Sequence, residues 1–497
     1  MNSTKLYIIV INALITFLLG THISKSYAQQ TGFEVILEAD YDIMPVSFKR
    51  MDDGEYVGIV RKAIYADSLN AANTFLYRIS SSGDTMATIF SKPDTIYNYF
   101  HIDKLVTGEG GFLLSGYGYK IGEPSNYLFT ILTKLDNDLN IVWEKVYTFN
   151  YYYAGFTSSI LELSNGEIIY ACAPHLNMYM FIMKISQQGD MLDFKAYSGD
   201  ESGEVWSLTY NHDSTSLLLS AQWAYYPGGG YVSSIITLNN ELEQVDVDYY
   251  PEHFHPPFNS LLLNNDYMLA GGSDQFYGTN EFLFQVGAYL LDTAFNIAHQ
   301  IHLTDPDTNS RGGDVQAVDF YYQNCIYLGG THNLQGITGS YPSWYYITKL
   351  NDTLGLEYEK YIGGDYYYWL MSITASMDGG VLLAGFFSEI GQTNVNLKGL
   401  IIKLDSTGCI TNLPHNPQIS ITDAILYPNP GIDVIKVRTG LTDCTFKLWD
   451  ISGHNLINTT LSGLISTMDV SFLKSGNYFY SIERSNKTVI SGTWIKQ

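Results

Sequence analysis

One pattern recurs along the chain and limits what it can fold into. The stretches "GEGGFLLSGYG" from Gly108, "LSNGEIIYACA" from Leu163, "LNNDYMLAGGS" from Leu263, "YYQNCIYLGGT" from Tyr321 and "SMDGGVLLAGF" from Ser376 each read as a strand entering a tight turn and a second strand leaving it. "MDDGEYVGIV" at Met51 and "NHDSTSLLLSA" at Asn211 bring the copies to seven. Each copy is followed by a second strand-turn pair, such as "FLYRISSSGDTM" from Phe75, "FIMKISQQGDML" from Phe181 or "LIIKLDSTG" from Leu400. Their turns carry Asn, Asp or Gly, the residues that tolerate hairpin backbone angles.

One unit is therefore four strands in roughly 50 to 60 residues, the size of a propeller blade or a large solenoid turn. The last unit is incomplete, because "CITNLPHNPQIS" after Gly408 is no fourth strand. Near the other end, "TGFEVILEAD" (Thr31 to Asp40) has the alternation of a fourth strand and no strand before it to pair with. Joining the two completes the seventh unit. Complementary ends favour a closed ring over a solenoid, which needs polar caps. The expectation is an all-β chain: a seven-bladed β-propeller over residues 29–409, closed by an N-terminal strand.

Composition supports this reading. The 41 Tyr and 44 Gly, with Val, Ile and Thr common, suit many short strands. Fifty acidic against 26 basic residues give a net charge of -24, which argues against nucleic acid as a partner. The four cysteines (Cys172, Cys325, Cys409 and Cys444) are too widely spaced for a disulfide framework, and Cys172 and Cys325 sit in apolar runs as core residues. The apolar run Leu6 to Leu19, preceded by Lys5 and followed by Ser26-Tyr27-Ala28, reads as a secretory signal peptide over 1–28. No Cys follows it to carry a lipid, and no later stretch is apolar enough to span a bilayer.

From residue 419 the pattern changes. Short alternating strands at Val434 to Val437, Thr445 to Leu448, Met468 to Val470 and Tyr478 to Ile482 predict a small β-sandwich over 419–497. A Pro-containing linker, 410–418, precedes it, and few contacts are expected across that linker.

Resemblance adds to both parts. "DGGVLLAG" and "IIKLDSTG" resemble signatures of secreted Bacteroidota propellers, a resemblance that covers about Thr31 to Gly408 and bears on fold alone. Tyr427-Pro428-Asn429-Pro430, then Asp450 and Gly453 in "FKLWDISGHNL", Gly476 in "LKSGNYFYSI" and Lys496 near the end resemble the C-terminal sorting domain (type A) of the type IX secretion system. His454 stands where such domains usually carry Arg, and Trp449 where they often carry Tyr or Phe. The resemblance implies the type IX machinery as partner, and delivery to the outer cell surface or the medium.

Chemistry is harder to find. No G-x-S-x-G, P-loop or H-E-x-x-H is present. His253 and His255 with Glu252 lack a third metal ligand at suitable spacing, and no metal site is expected there. Asp305, Asp307 and Asn309 resemble the start of a calcium loop, but Ser310 and Gln316 replace its Gly and Glu, so the expectation is no cofactor and at most weak Ca²⁺ binding. Aromatics recur between each fourth strand and the next first strand. Tyr152, Trp206, Tyr250, Tyr367, Tyr368 and Trp369 are accordingly the candidate ligand-binding residues, a platform for a glycan or a protein. Catalytic residues are not identifiable. The reading is a non-catalytic binding propeller; the alternative is a secreted hydrolase or lyase with acids at the channel mouth.

Overall fold

The computed structural model describes residues 32–496 apart from 40–41, 64–73, 91–94, 109, 121–128, 149–156, 174–179, 198–202, 224–231, 251–254, 278–281, 306–307, 335–340, 392–396, 411–420, 423, 428, 430, 440–442, 463–464 and 486. Its local unit is the turn between the third and fourth strand of each repeat. Asp136 opens one such turn: its carboxylate accepts the Asn140 amide at 2.8 Å, while the Leu139 amide donates to the Asp136 carbonyl. Asn351 and Asp405 do the same for Gly355 and Cys409. The fourth turn residue must be left-handed. Gly fills that position at Gly83, Gly189 and Gly408, but Leu139, Leu242, Phe295 and Leu354 occupy it at φ 67, 60, 59 and 61°. A left-handed Leu is strained. Burial offsets the strain, since Leu242 and Leu354 are both core residues.

These turns join antiparallel strands into a succession of sheets. Strands β2–β5 (within Asp42–Phe90), β6–β9 (Thr95–Tyr147), β10–β13 (Thr157–Tyr197), β14–β17 (Gly203–Tyr250) and β18–β21 (His255–Leu303) form five four-stranded sheets, each in chain order. The sixth sheet is built on β22 (Ser310–Gly312), β23 (Val318–Phe320), β24 (Ile326–His332), β25 (Trp344–Leu350) and β26 (Leu356–Gly363), with β22 and β23 pairing in tandem along β24. Its first strand is thus broken by residues 313–317. The seventh sheet holds β27 (Tyr367–Ala375), β28 (Val381–Ser388) and β29 (Lys398–Leu404), and its fourth strand is β1 (Phe33–Leu37), paired antiparallel to β29 from Phe33–Lys403 to Leu37–Gly399. Phe33, Ile43, Phe48, Leu382 and Ile401 share one core between this sheet and the first.

Core formation between successive sheets reuses one device. In every sheet after the first, the fourth strand ends on a buried residue, and in three sheets that residue is Tyr. Tyr147 donates its hydroxyl to the Gly189 carbonyl (2.7 Å), Tyr197 to Leu242 (2.6 Å) and Tyr250 to Phe295 (2.8 Å). In each case the acceptor is the left-handed residue of the next sheet's turn. The ring fills the space between sheets while the hydroxyl satisfies a carbonyl that the turn leaves free.

The tail is a two-sheet sandwich. Strands β31 (Ala424–Tyr427), β32 (Val434–Thr439) and β35 (Ile465–Asp469) face β33 (Cys444–Trp449), β34 (Asn455–Thr460), β36 (Gly476–Arg484) and β37 (Lys487–Lys496) across a core that includes Ile435, Phe446, Ile482 and Trp494. It is not loosely tethered, contrary to the expectation of few contacts. Strand β30 (Ile421–Thr422) pairs with the outer edge of β26, and Lys436 reaches the buried Asp305 carboxylate at 3.7 Å. An open strand edge is a ready template for pairing, and here the chain uses it.

Two outcomes are expected. Replacing Tyr147, Tyr197 and Tyr250 by Phe keeps the rings and removes three hydroxyl bonds, at about 1 kcal/mol each, and the losses add because the sites are separate. Chemical denaturation checks it, and an unchanged midpoint in the triple variant refutes the role. Deleting residues 31–40 opens the β29 edge and lowers the melting temperature with aggregation visible by light scattering; retention of the full melting temperature refutes the dependence on β1.

Candidate functional site

The first strands of the sheets converge on a shared cavity of about 150 Å³, walled by Lys49 and Asp103, by Ser159 and Ser207, and by Trp206 and Gln316 among others. Several of these strands carry a bulge midway: the register slips between Pro45 and Ser47, Tyr99 and His101, Val205 and Ser207, and Leu370 and Ser372. The extra residues are Val46, Phe100, Trp206 and Met371. Val46 and Phe100 join one apolar cluster, against which Met371 and Val315 pack. Bulges re-aim side chains. Here they supply apolar filling where the inner strands would otherwise leave a void.

Polar side chains of the inner strands are spent on joining neighbouring sheets. Lys49 pairs with Asp103 at 3.2 Å, linking the first and second. Glu162 of the third accepts the amides of Val106 and Thr107. Ser159 accepts the Leu208 amide (3.0 Å), Ser207 the Ser260 amide (2.7 Å) and Asn259 the Ala317 amide (2.7 Å). Asp319 accepts the Ala375 amide (2.8 Å), and Thr374 donates to the Phe48 carbonyl (2.8 Å). Each junction thus holds at least one bond that spans two sheets. The 313–317 segment is held the same way: Val315 and Gln316 donate to the Met371 carbonyl, and Lys49 donates to the Gln316 side chain at 3.0 Å.

Electrostatics follow from that arrangement. Burial pulls Lys49 down, but Asp103 and Asp319 outweigh it and hold the ammonium above its usual range. Burial raises Asp319 against the pull of Lys49, and raises Asp314 against Arg311 and the Trp369 indole. Lys49 is therefore a permanent cation between two carboxyl groups.

Most of the aromatic residues singled out in the sequence are packing residues. Tyr152 lies outside the described residues. Tyr250 is buried with its hydroxyl on Phe295, and Tyr368 is buried with its hydroxyl on Asp365 at 2.6 Å and its ring stacked on Phe387. Tyr367 is also buried, edge-on to Trp369. A ring enclosed between sheets has no free face, so these three tyrosines make no stacking platform. Trp369 is half-buried, stacked on Phe386 and hydrogen-bonded to Asp314 at 2.8 Å. Among the described candidates Trp206 alone lies on the cavity wall, as the bulge residue in the first strand of the fourth sheet, and its indole nitrogen has no hydrogen-bond partner among the described residues.

The other motifs resolve likewise. Asp307, His253 and Glu252 lie outside the described residues. Asp305 faces Lys436, and the Asn309 amide is taken by the Leu334 carbonyl and the Phe284 amide, so this loop ties elements together. Among the described residues no three His, Cys, Asp or Glu side chains group closely enough to hold a metal. In the tail, Asn429 exchanges bonds with Thr493 and Ile495, Asp450 and Gly453 form a tight turn, and Lys496 reaches Asp433 at 3.1 Å and the Ile432 carbonyl. Gly476 opens β36 and Tyr427 ends β31, while Pro428 and Pro430 are outside the described residues.

Comparison with protein families matches residues 425–497 to the Secretion system C-terminal sorting domain. The protein is therefore a client of the type IX secretion machinery, exported and attached at the cell surface. No helix among the described residues is long and apolar enough to cross a membrane. Comparison with curated proteins gives no match. Similar solved structures include a protein of unknown function from Dyadobacter fermentans (12% identity, 74% of this chain and 97% of that one, TM-score 0.40). A Penicillium chrysogenum alpha-L-arabinanase complexed with arabinobiose is similar at 13% identity (76% and 98%, TM-score 0.39), and a puromycin hydrolase at 12% (88% and 58%, TM-score 0.43).

Sequence reasoning did not single out one pair. Asp274 reaches across Gly287 to His302, 2.5 Å from its Nδ1. That hydrogen bond raises His302 above its ordinary value, against some burial. The pair's contribution to stability is thus complete below the ordinary imidazole value of about 6.5 and is lost as pH rises through the raised one. The stability difference between wild type and His302→Gln is expected to be largest in mild acid and to close in alkali; a difference that grows with pH refutes the pairing.

Proposed function

We propose that the seven sheets are the blades of a seven-bladed propeller over 29–409, closed by its N-terminal strand. The sandwich over 419–497 delivers it, and its role at the cell surface is to bind an extracellular glycan or protein without a catalytic step or a cofactor. The observation that carries this reading is the use of the inner-strand polar groups. Asp103, Glu162, Ser159, Ser207, Asn259 and Asp319 each hold a neighbouring sheet. A general base or nucleophile must be free to exchange a proton or attack, and these groups are committed.

A hydrolase or lyase is the second reading, and one observation favours it. Burial raises both Asp314 and Asp319 close to the inner strands, as a general acid requires. Each is hydrogen-bonded to a protein donor, however: Asp314 to Trp369 and Asp319 to the Ala375 amide.

Two experiments test the reading. The full chain is expected to retain ligands on glycan or peptide arrays and to release no product from the glycans it retains; product formation that Asp319→Asn abolishes without unfolding the protein establishes the enzyme instead. Removal of residues 425–497 is expected to leave the propeller inside the native host, with a modest loss of stability from the lost contact of Lys436 with Asp305. Undiminished surface display of that shortened chain refutes the delivery role.

A further inference from the structure

The exposed apolar side chains of the tail sandwich are unevenly placed. Among the described residues the large ones are Ile432, Val434, Ile451, Phe472, Phe479 and Ile495, and all lie toward one end of the sandwich. Strand pairing defines that end. Trp449 closes β33 directly opposite Phe479, Gly476 at the start of β36 faces Lys496 at the end of β37, and Val434 at the start of β32 faces Asp469 at the end of β35. Gly431, just before β32, donates its amide to the Ile495 carbonyl (2.9 Å) and so joins the two sheets there. The Val470 amide on the Asp433 carbonyl (2.8 Å) brings the loop of Phe472 alongside. Single exposed apolar residues are ordinary, but a gathered set marks a contact surface.

The signature residues of the tail lie at the same end, and their bonds are spent on shaping it. Asn429 exchanges bonds with Thr493 and Ile495, the Asp450 carboxylate accepts the amides of Ser452 and His454, and Lys496 is buried against Asp433 and the Ile432 carbonyl. Gly453 takes the left-handed turn position at φ 81°. What these loops and strands hold outward is apolar. Phe479 is 50% exposed on the outer face of its sheet, while its chain neighbours Tyr478 and Tyr480 turn inward to Trp494 and Phe446. Trp449 stands opposite it, and Ile495 lies on the diagonal within side-chain reach. Ile451, 79% exposed, and Phe472, 65% exposed, stand in the adjoining loops.

This face is turned away from the propeller. Lys436, which points outward between the core residues Ile435 and Val437, meets Asp305 from the other sheet. The surroundings narrow the occupant. Asp433, Asp450 and Asp469 flank this end, in a chain of net charge -24, which disfavours an anionic membrane surface. A sorting domain has to be read whatever cargo precedes it, so its reader has only the domain's own surface to grip. An aromatic centre ringed by polar groups is what a protein partner seals against most strongly.

We infer that the apolar patch centred on Phe479, Trp449 and Ile451 is the surface by which the tail docks into an apolar groove on a protein component of the type IX machinery. The signature residues build this patch and are not themselves the groups gripped. The inference rests on the delivery reading above and gives it a contact surface.

The test is surface display of the full chain in the native host, read by labelling intact cells, with the melting temperature of each purified variant measured beside it. The double variant Ile451→Ser, Phe479→Ser is expected to melt as the wild type does, because both side chains are exposed, and to lose display about tenfold or more while accumulating inside the cell. Phe479→Leu, which keeps the site apolar, is expected to restore most of the display when paired with native Ile451. Met191→Ser with Leu192→Ser, exposed apolar residues on an outer strand of the propeller, is expected to leave display intact. Undiminished display of the tail double variant overturns the docking surface, as does an equal loss in the propeller control. Should the double variant melt early, Ile451→Ser alone, in a turn outside the core, is expected to lose display about threefold, and no loss overturns the surface. Sedimentation of the purified chain that shows a dimer abolished by the serine changes assigns the patch to a second copy instead, and flotation with phosphatidylethanolamine–phosphatidylglycerol vesicles that these changes abolish assigns it to lipid. If removal of residues 425–497 stops display and the serine changes do not, the patch fails and the delivery reading stands; if neither stops display, both fall.

Discussion

The pairing of β1 with β29 is the contact on which the rest of the structure depends. Five residues near one end of the chain supply the outer strand of the sheet whose other three strands lie more than 330 residues away. Without them the seventh sheet has three strands and a bare edge, and the core shared by Phe33, Phe48 and Ile401 loses one wall. Contacts so distant in sequence are slow to form, because the loop must close before any of them stabilises the fold. The final sheet cannot be completed until almost the whole chain is present. Each intersheet bond at the inner strands is then reinforced by its neighbours, as Thr374 on Phe48 illustrates where the seventh sheet meets the first.

How much of this was legible follows from which residues carry backbone information. Asn, Asp and Gly at the turns announce hairpins through their own side-chain and backbone chemistry, so the strand-turn-strand repeats could be read directly. The partnerless strand at 33–37 and the unfinished last repeat were also visible, and they lie hydrogen-bonded to each other. The tail could be read from motif residues that hold its sheets together, Asn429 and Lys496 among them. The left-handed positions at Leu139, Leu242, Phe295 and Leu354 could not, since the burial that makes them tolerable is a property of the neighbouring sheet. Nor could the bulges that turn Val46, Phe100, Trp206 and Met371 inward, or the break of the sixth sheet's first strand at 313–317.

Aromatic residues show the same divide more sharply. A tyrosine at the end of a fourth strand has the same sequence setting whether its ring greets a ligand or a neighbouring sheet. Tyr147, Tyr197 and Tyr250 are decided by a carbonyl some 45 residues further on, at Gly189, Leu242 and Phe295. Recurrence at one point of the repeat was a genuine signal, but of how sheets are spaced. Serine, asparagine and aspartate along the inner strands are similar: their chemistry is available in principle and committed in fact.

The grip of the tail on the sixth sheet has a geometric consequence. Strand β30 lies along β26, the outermost strand of its sheet, and Lys436 meets Asp305 beside it. Two separated points of attachment resist swivelling where one would permit it. The mooring therefore sits at the sheet edge opposite the first strands that line the inner cavity, and it fixes the sorting sandwich at a set bearing to the sixth sheet.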